Sequence, residues 1–103
     1  MIDWKRTINL SITDQKSVIE KALKTSEETG ELAQASLSYS GAHACGYKGK
    51  SKEDIVKEAV DVIQCAISVI AKVYEEEGFP KEKFINIYNN KLDKWEAKQK
   101  ADS

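Results

Sequence analysis

The chain has 103 residues, of which 41% are hydrophobic and 32% charged, with a formal net charge of -1. That length allows one domain with a small core, and that composition predicts a soluble globular protein rather than a disordered or fibrous one. With cations spread along the chain and the charge near balance, nucleic-acid binding has no electrostatic footprint.

Few helix breakers (Pro80, and glycine at 30, 41, 46, 49 and 78) and abundant Ala, Leu, Glu and Lys predict an all-α fold. The start, MIDWKRTINL, has no basic stretch leading into an apolar run, so no secretory signal is expected. Its Trp4, Ile8 and Leu10 are spaced for a short helix or an extended arm. Ser11, Thr13 and Asp14 then offer N-caps for a helix running to about Ser40. On that helix Ile19, Leu23, Ser26, Gly30, Ala33 and Leu37 recur at the helical period and predict its core face. Gly41 ends it.

The connection from Gly41 to Lys50 (GAHACGYKGK) is glycine-rich and long enough to read as functional or mobile rather than a passive tie. His43, the only histidine, reads as a surface residue of this loop. Ser51-Lys52-Glu53-Asp54 is a capping box opening a helix from about Lys52 to Glu77. Gly78 is its stop, and Pro80 sits near the first turn of a final helix with Phe84, Tyr88, Lys91, Leu92 and Trp95 along one face. The expected architecture is an antiparallel bundle of three long helices plus a short N-terminal segment. One helix is apolar nearly all round, so homodimerisation is expected to complete the bundle.

The apolar run from Ala59 to Ala71 is too short to span a membrane and contains Asp61 and Gln64. Cys45 and Cys65 form no CxxC pair, so two reduced thiols in a cytoplasmic protein are expected. Arg6 is the only arginine, so any anion is expected to be met by lysine.

The chemistry lies in two carboxylate clusters, Glu27-Glu28-Thr29-Gly30-Glu31 and Glu58-Ala59-Val60-Asp61. Glu28 with Glu31, and Glu58 with Asp61, are three apart and so share a helix face. Asp61 is the only formal charge between Ala59 and Ala71, and an ionised carboxylate in such surroundings is costly without a cation. Antiparallel packing of the two helices brings the pairs face to face, where four acids repel and raise one another's pKa. A hard divalent cation resolves that conflict, and an all-oxygen site suits Mg²⁺ or Mn²⁺ better than zinc. Glu27 adds a fifth acid. The plain alternative is a solvated acidic face, with Lys24 and Glu28 as an ordinary helical ion pair. On the final helix, Lys91 lies within an apolar stripe: either it snorkels to the surface, or Lys91 and Lys94, with Asn89 and Asn90, meet a phosphate held on the metal.

These motifs together resemble the MazG-like family of all-α nucleoside triphosphate pyrophosphohydrolases, over roughly residues 15–95. The resemblance rests on EExxE at Glu27-Glu28-Thr29-Gly30-Glu31, ExxD at Glu58 to Asp61, the flanking Lys24 and Leu32-Ala33, and an Asn- and Lys-rich final helix. It implies a homodimer or homotetramer that hydrolyses NTP or dNTP to the monophosphate and pyrophosphate. In that scheme Mg²⁺ is held by Glu28, Glu31, Glu58 and Asp61, with Glu27 as a further ligand or water-orienting base. Lys91 and Lys94, with Asn89 or Asn90, would hold the phosphate tail, and Trp4 and Ile8 would line an apolar base pocket. A di-iron bundle would need ExxH pairs, which His43 does not supply. Phosphoribosyl-ATP pyrophosphatases and dimeric dUTPases share the acidic scaffold. The non-enzymatic rival is a helical dimerisation or regulatory module with a solvated acidic face.

Overall fold

A computed structural model describes residues 1–41 and 49–102; His43, Cys45 and Tyr47 lie outside the described residues. The described chain is all-helical: α1 (Trp4–Thr13), α2 (Val18–Tyr39), α3 (Lys52–Val73) and α4 (Lys81–Asp102), with a 3₁₀ turn at Glu75–Glu77. Among these residues no helix is long and apolar enough to cross a membrane.

The N-terminal segment is a helix, not an extended arm. Asp3 caps it by accepting a hydrogen bond from the Arg6 backbone N–H at 3.0 Å. Ser11 and Thr13 belong to its last turn and Asp14 to its C-cap, so none of them opens the next helix. Ser17 does, because a full capping box forms there: the Glu20 N–H donates to Ser17 Oγ, and the Ser17 N–H donates to Glu20 Oε1, each at 3.1 Å. The expected box at Ser51 and Asp54 is present at the start of α3. That helix ends at Val73 rather than Glu77, passing through the 3₁₀ turn to Gly78, whose φ of 62° is the left-handed region that favours glycine. The last helix runs on through the expected polar tail to Asp102.

Lys21 meets Ser68, Glu28 lies beside Glu58 and Asp61, and the Lys50 N–H donates to Ser38 Oγ, so α2 and α3 run antiparallel. The short α1 also packs on α3. Lys21 Nζ fastens all three, donating to the Ser11 carbonyl at 2.9 Å and to Ser68 Oγ at 2.5 Å, with Asp14 3.6 Å away. Only 3% of Lys21 is exposed.

The expected core face of α2 is not the buried one. Ile19, Leu23 and Leu37 are exposed, while Lys21, Glu28, Ala35 and Ser38 on the opposite side are buried against α3. The periodicity correctly marks an apolar stripe, but the polar face packs inward because α3 presents Glu58, Cys65 and Ser68 to it. Val56, Val60 and Ile63 of α3 are exposed as well. Along α4 no described residue is buried. Near its start the Phe79, Phe84 and Tyr88 rings follow one another at centroid distances of 5.5 and 6.2 Å, and Lys83 Nζ reaches back to lie 5.4 Å from the Tyr74 ring centroid.

The consequence is an open molecule. Its accessible surface is 7993 Å², against about 5,800 Å² for a compact monomer of its mass. Its radius of gyration is 16.5 Å, against about 13 Å for a compact domain of this length.

Candidate metal centre

Antiparallel packing brings the acid clusters together as expected, and Glu28 is the hinge between them. Carboxylate oxygens of Glu27, Glu28 and Glu31 lie within 4.8 Å of one another, and so do those of Glu28, Glu58 and Asp61. Glu28 belongs to both groups.

Burial ranks these acids differently from the sequence. Asp61, expected to be the stranded charge, is exposed, because it lines the open cleft beside Glu28. Glu28 is the buried one, with 8% exposed. Its Oε1 is 3.2 Å from Lys24 Nζ, which also lies 3.4 Å from Glu27 Oε1. The helical ion pair therefore exists, but it satisfies only half of Glu28. The other oxygen, Oε2, is buried without a hydrogen-bond partner, and so is Glu58 Oε2. Leaving a buried acceptor unsatisfied costs about 1–3 kcal/mol, more for a charged group. The two oxygens lie on facing helices, each an acceptor with no donor from the described residues.

The local electrostatics agree. The charge on Glu28 beside it pushes the Glu31 carboxyl above its ordinary range, with Glu58 and Glu27 adding to the effect. Hydrogen bonds to Glu28 and Glu27 raise the Lys24 ammonium. Burial, and then the Glu28 charge, raise the Cys65 thiol, a free cysteine beside the acids that is held protonated.

A cleft of about 390 Å³ opens over Glu28 and Asp61. Its far wall is α1, through Arg6, Thr7, Leu10 and Ser11, and its floor continues along α3 through Gln64, Cys65 and Ser68. Sequence reasoning passed over these residues. The signal was present in the spacing of Asp61, Gln64, Cys65 and Ser68, which keeps one face of α3, and in Arg6 or Thr7 to Leu10 and Ser11 on α1. What the sequence could not supply was that α1 lies against α3.

The residues expected to hold phosphate are elsewhere in the single chain. Lys91 lines a separate apolar groove of about 500 Å³ between α3 and α4, with Val73, Tyr88, Leu92 and Trp95 among its walls. Asn89, Asn90 and Lys94 are exposed on α4, and none of them lines the acid cleft. Trp4 is exposed on α1, one turn before Thr7 and Ile8. Compared with known proteins, the chain matches no family model, no curated protein and no solved structure.

Proposed function

We propose that this chain is a Mg²⁺-dependent nucleoside triphosphate pyrophosphohydrolase of the MazG-like kind, acting in nucleotide-pool housekeeping in the cytoplasm. The observation that carries the reading is the orphaned, buried Oε2 of Glu28 at the meeting point of both acid groups. The donor set fits the metal: every candidate ligand is a carboxylate oxygen, which suits a hard divalent cation. Glu28, Glu31, Glu58 and Asp61 would hold Mg²⁺, with Mn²⁺ as a substitute. When bound, it would supply charge neutralisation for the acids and for the phosphates.

The chain's own part is orientation and proton transfer. Glu27 is exposed and bonded only at one oxygen, to Lys24, so it can take the proton of the attacking water. A P–O bond forms at the α-phosphorus, the bond to the α,β-bridging oxygen breaks, and pyrophosphate leaves with the electron pair. The acids themselves exclude an unmetallated anion by repulsion.

A homodimer is part of the proposal, with homotetramer as the next closed assembly. The excess surface of about 2,200 Å² per chain over a compact monomer is what a large obligate interface removes. The second copy covers the apolar stripe of Ile19, Leu23 and Leu37 with Val56, Val60 and Ile63, all exposed in one chain. The rival reading, a non-enzymatic helical module, draws on the same apolar stripe and on the Lys24 ion pairs.

Incubation with a panel of NTPs and dNTPs, with and without Mg²⁺, separates the two by assay of pyrophosphate against orthophosphate. Pyrophosphate is the expected product, falling on the order of 10²-fold or more in Glu28→Gln, Glu31→Gln or Asp61→Asn. Orthophosphate alone, or activity indifferent to these substitutions, sinks the enzyme reading.

A further inference from the structure

We infer that Arg6 is the anion-binding residue of the acid cleft: a polyphosphate chain spans it, held through the metal on Glu28 and Asp61 at one end and by the Arg6 guanidinium at the other. The inference rests on the metal reading above and adds to it the cation that the final helix was expected to provide.

Three observations point to Arg6. It lines the cleft on the α1 wall, across from Glu28 and Asp61 on α2 and α3. Its side chain is uncommitted: its ion pair is with Asp3, three residues back, at 3.8 Å and with both groups exposed. Such a pair is weak in water. Among the described residues no ion pair joins it to a carboxylate of the cleft, so cation and acids line the same space without neutralising each other.

The other cations near the cleft, and two of its hydroxyls, are taken. The Thr7 hydroxyl donates to the Asp3 carbonyl and the Ser11 hydroxyl to the Thr7 carbonyl, while Ser68 Oγ accepts from Lys21 and keeps a neutral O–H that adds no charge to the cleft. Lys24 is held by Glu27 and Glu28. Lys91 faces the apolar groove. That leaves Arg6 as the cation that can meet an anion here, with the exposed Gln64 amide beside it. A guanidinium presents paired N–H donors that match two phosphate oxygens at once, which an ammonium does not.

The sign of the field sets the order of events. The cleft's acids outnumber its cations until a divalent ion is bound, so the anion enters as its metal complex or after the metal. The probe is therefore inorganic tripolyphosphate, titrated by calorimetry as its magnesium complex and, separately, with chelator. Wild-type protein is expected to bind the magnesium complex and to ignore the chelated anion. Arg6→Gln is expected to bind roughly 10- to 100-fold more weakly, with partial recovery in Arg6→Lys and an unchanged Mn²⁺-induced rise in melting temperature. Wild-type affinity in Arg6→Gln with the Mn²⁺ response intact overturns Arg6 alone and leaves the metal centre standing. No response of the wild type to Mn²⁺ overturns the metal reading and this inference with it. Arg6 is an exposed residue of a helix it does not cap, so its variants fold.

Discussion

Two sides of the same helix pair are built in opposite senses. The buried side chains of the helix pair are Lys21, Glu28 and Ser38 beside only Ala35, Ile67 and Ala71 among the described residues, while on the outer faces Leu23, Ile63 and their neighbours meet solvent. A monomeric fold driven by apolar burial does the reverse. No large side chain among the described residues is fully buried. The contrast teaches that the inner seam is organised for specific polar bonding and that the main apolar drive lies outward. The homodimer proposed above would supply the second layer that the exposed outer stripe lacks in one chain.

The sharpest way to break this comparison is to charge the outer face. Leu23→Glu or Ile63→Glu would bury an unpaired carboxylate in a dimer. Each also forfeits about 1.5–3 kcal/mol of side-chain burial. Sedimentation of the wild type should show a dimer, and either variant should shift it to monomer or unfold it. Leu23→Asn is the milder companion, weakening association while the chain stays helical by circular dichroism. If the outer face stays wet in solution, all three behave as surface changes within about 0.5 kcal/mol, and the wild type sediments as a monomer.

How much of this was readable beforehand follows from the range of each interaction. Helix existence, the Ser51 capping box and the Gly41 stop are local and were legible, whereas α3 ends at Val73 and Gly78 closes the 3₁₀ turn after it. The Ser17 box is equally local, but Ser11, Thr13 and Asp14 compete for the same role, and only the extension of α1 to Thr13 removes them. The two acid motifs were legible because helical spacing fixes their face. Their ranking was not: whether Glu28 or Asp61 is buried depends on the phase at which α2 meets α3. An apolar stripe says that something covers it, not whether the cover comes from the same chain. The place of Arg6 needs the packing of α1 on α3, which no spacing encodes.

A smaller effect tests the inner seam. Lys21→Met keeps the length of the side chain but removes its bonds to the Ser11 carbonyl and Ser68 Oγ and its charge partner for Asp14. The carbonyl is left without this donor, so about 1–3 kcal/mol of stability should be lost, read by urea unfolding. Because α1 is fastened there, proteolysis near its C-terminus should speed up as well. Equal stability of Met and Lys would mean that apolar contact, not polar bonding, holds the seam, as happens when a buried ion pair is replaced without loss.

The smallest effect concerns how α2 and α3, the helices that carry the acids, are started. The Ser17 backbone N–H, then its hydroxyl, hold Glu20 below its ordinary range; the Ser51 backbone N–H and hydroxyl do the same for Asp54. A folded-state value below the unfolded one means that unfolding takes up protons in acid. The stabilisation is therefore full above the ordinary values of 4.5 and 3.8 and is lost as pH falls through the lowered ones. Glu20→Ala should lower the melting temperature at pH 7 slightly, with the gap to wild type closing in acid below those values; Asp54→Ala should follow the same course. The outer apolar face has no share in this titration. A gap that stays constant down to the acid limit would show that these caps act through helix propensity alone, and that the ionised carboxylate adds nothing to the start of either helix.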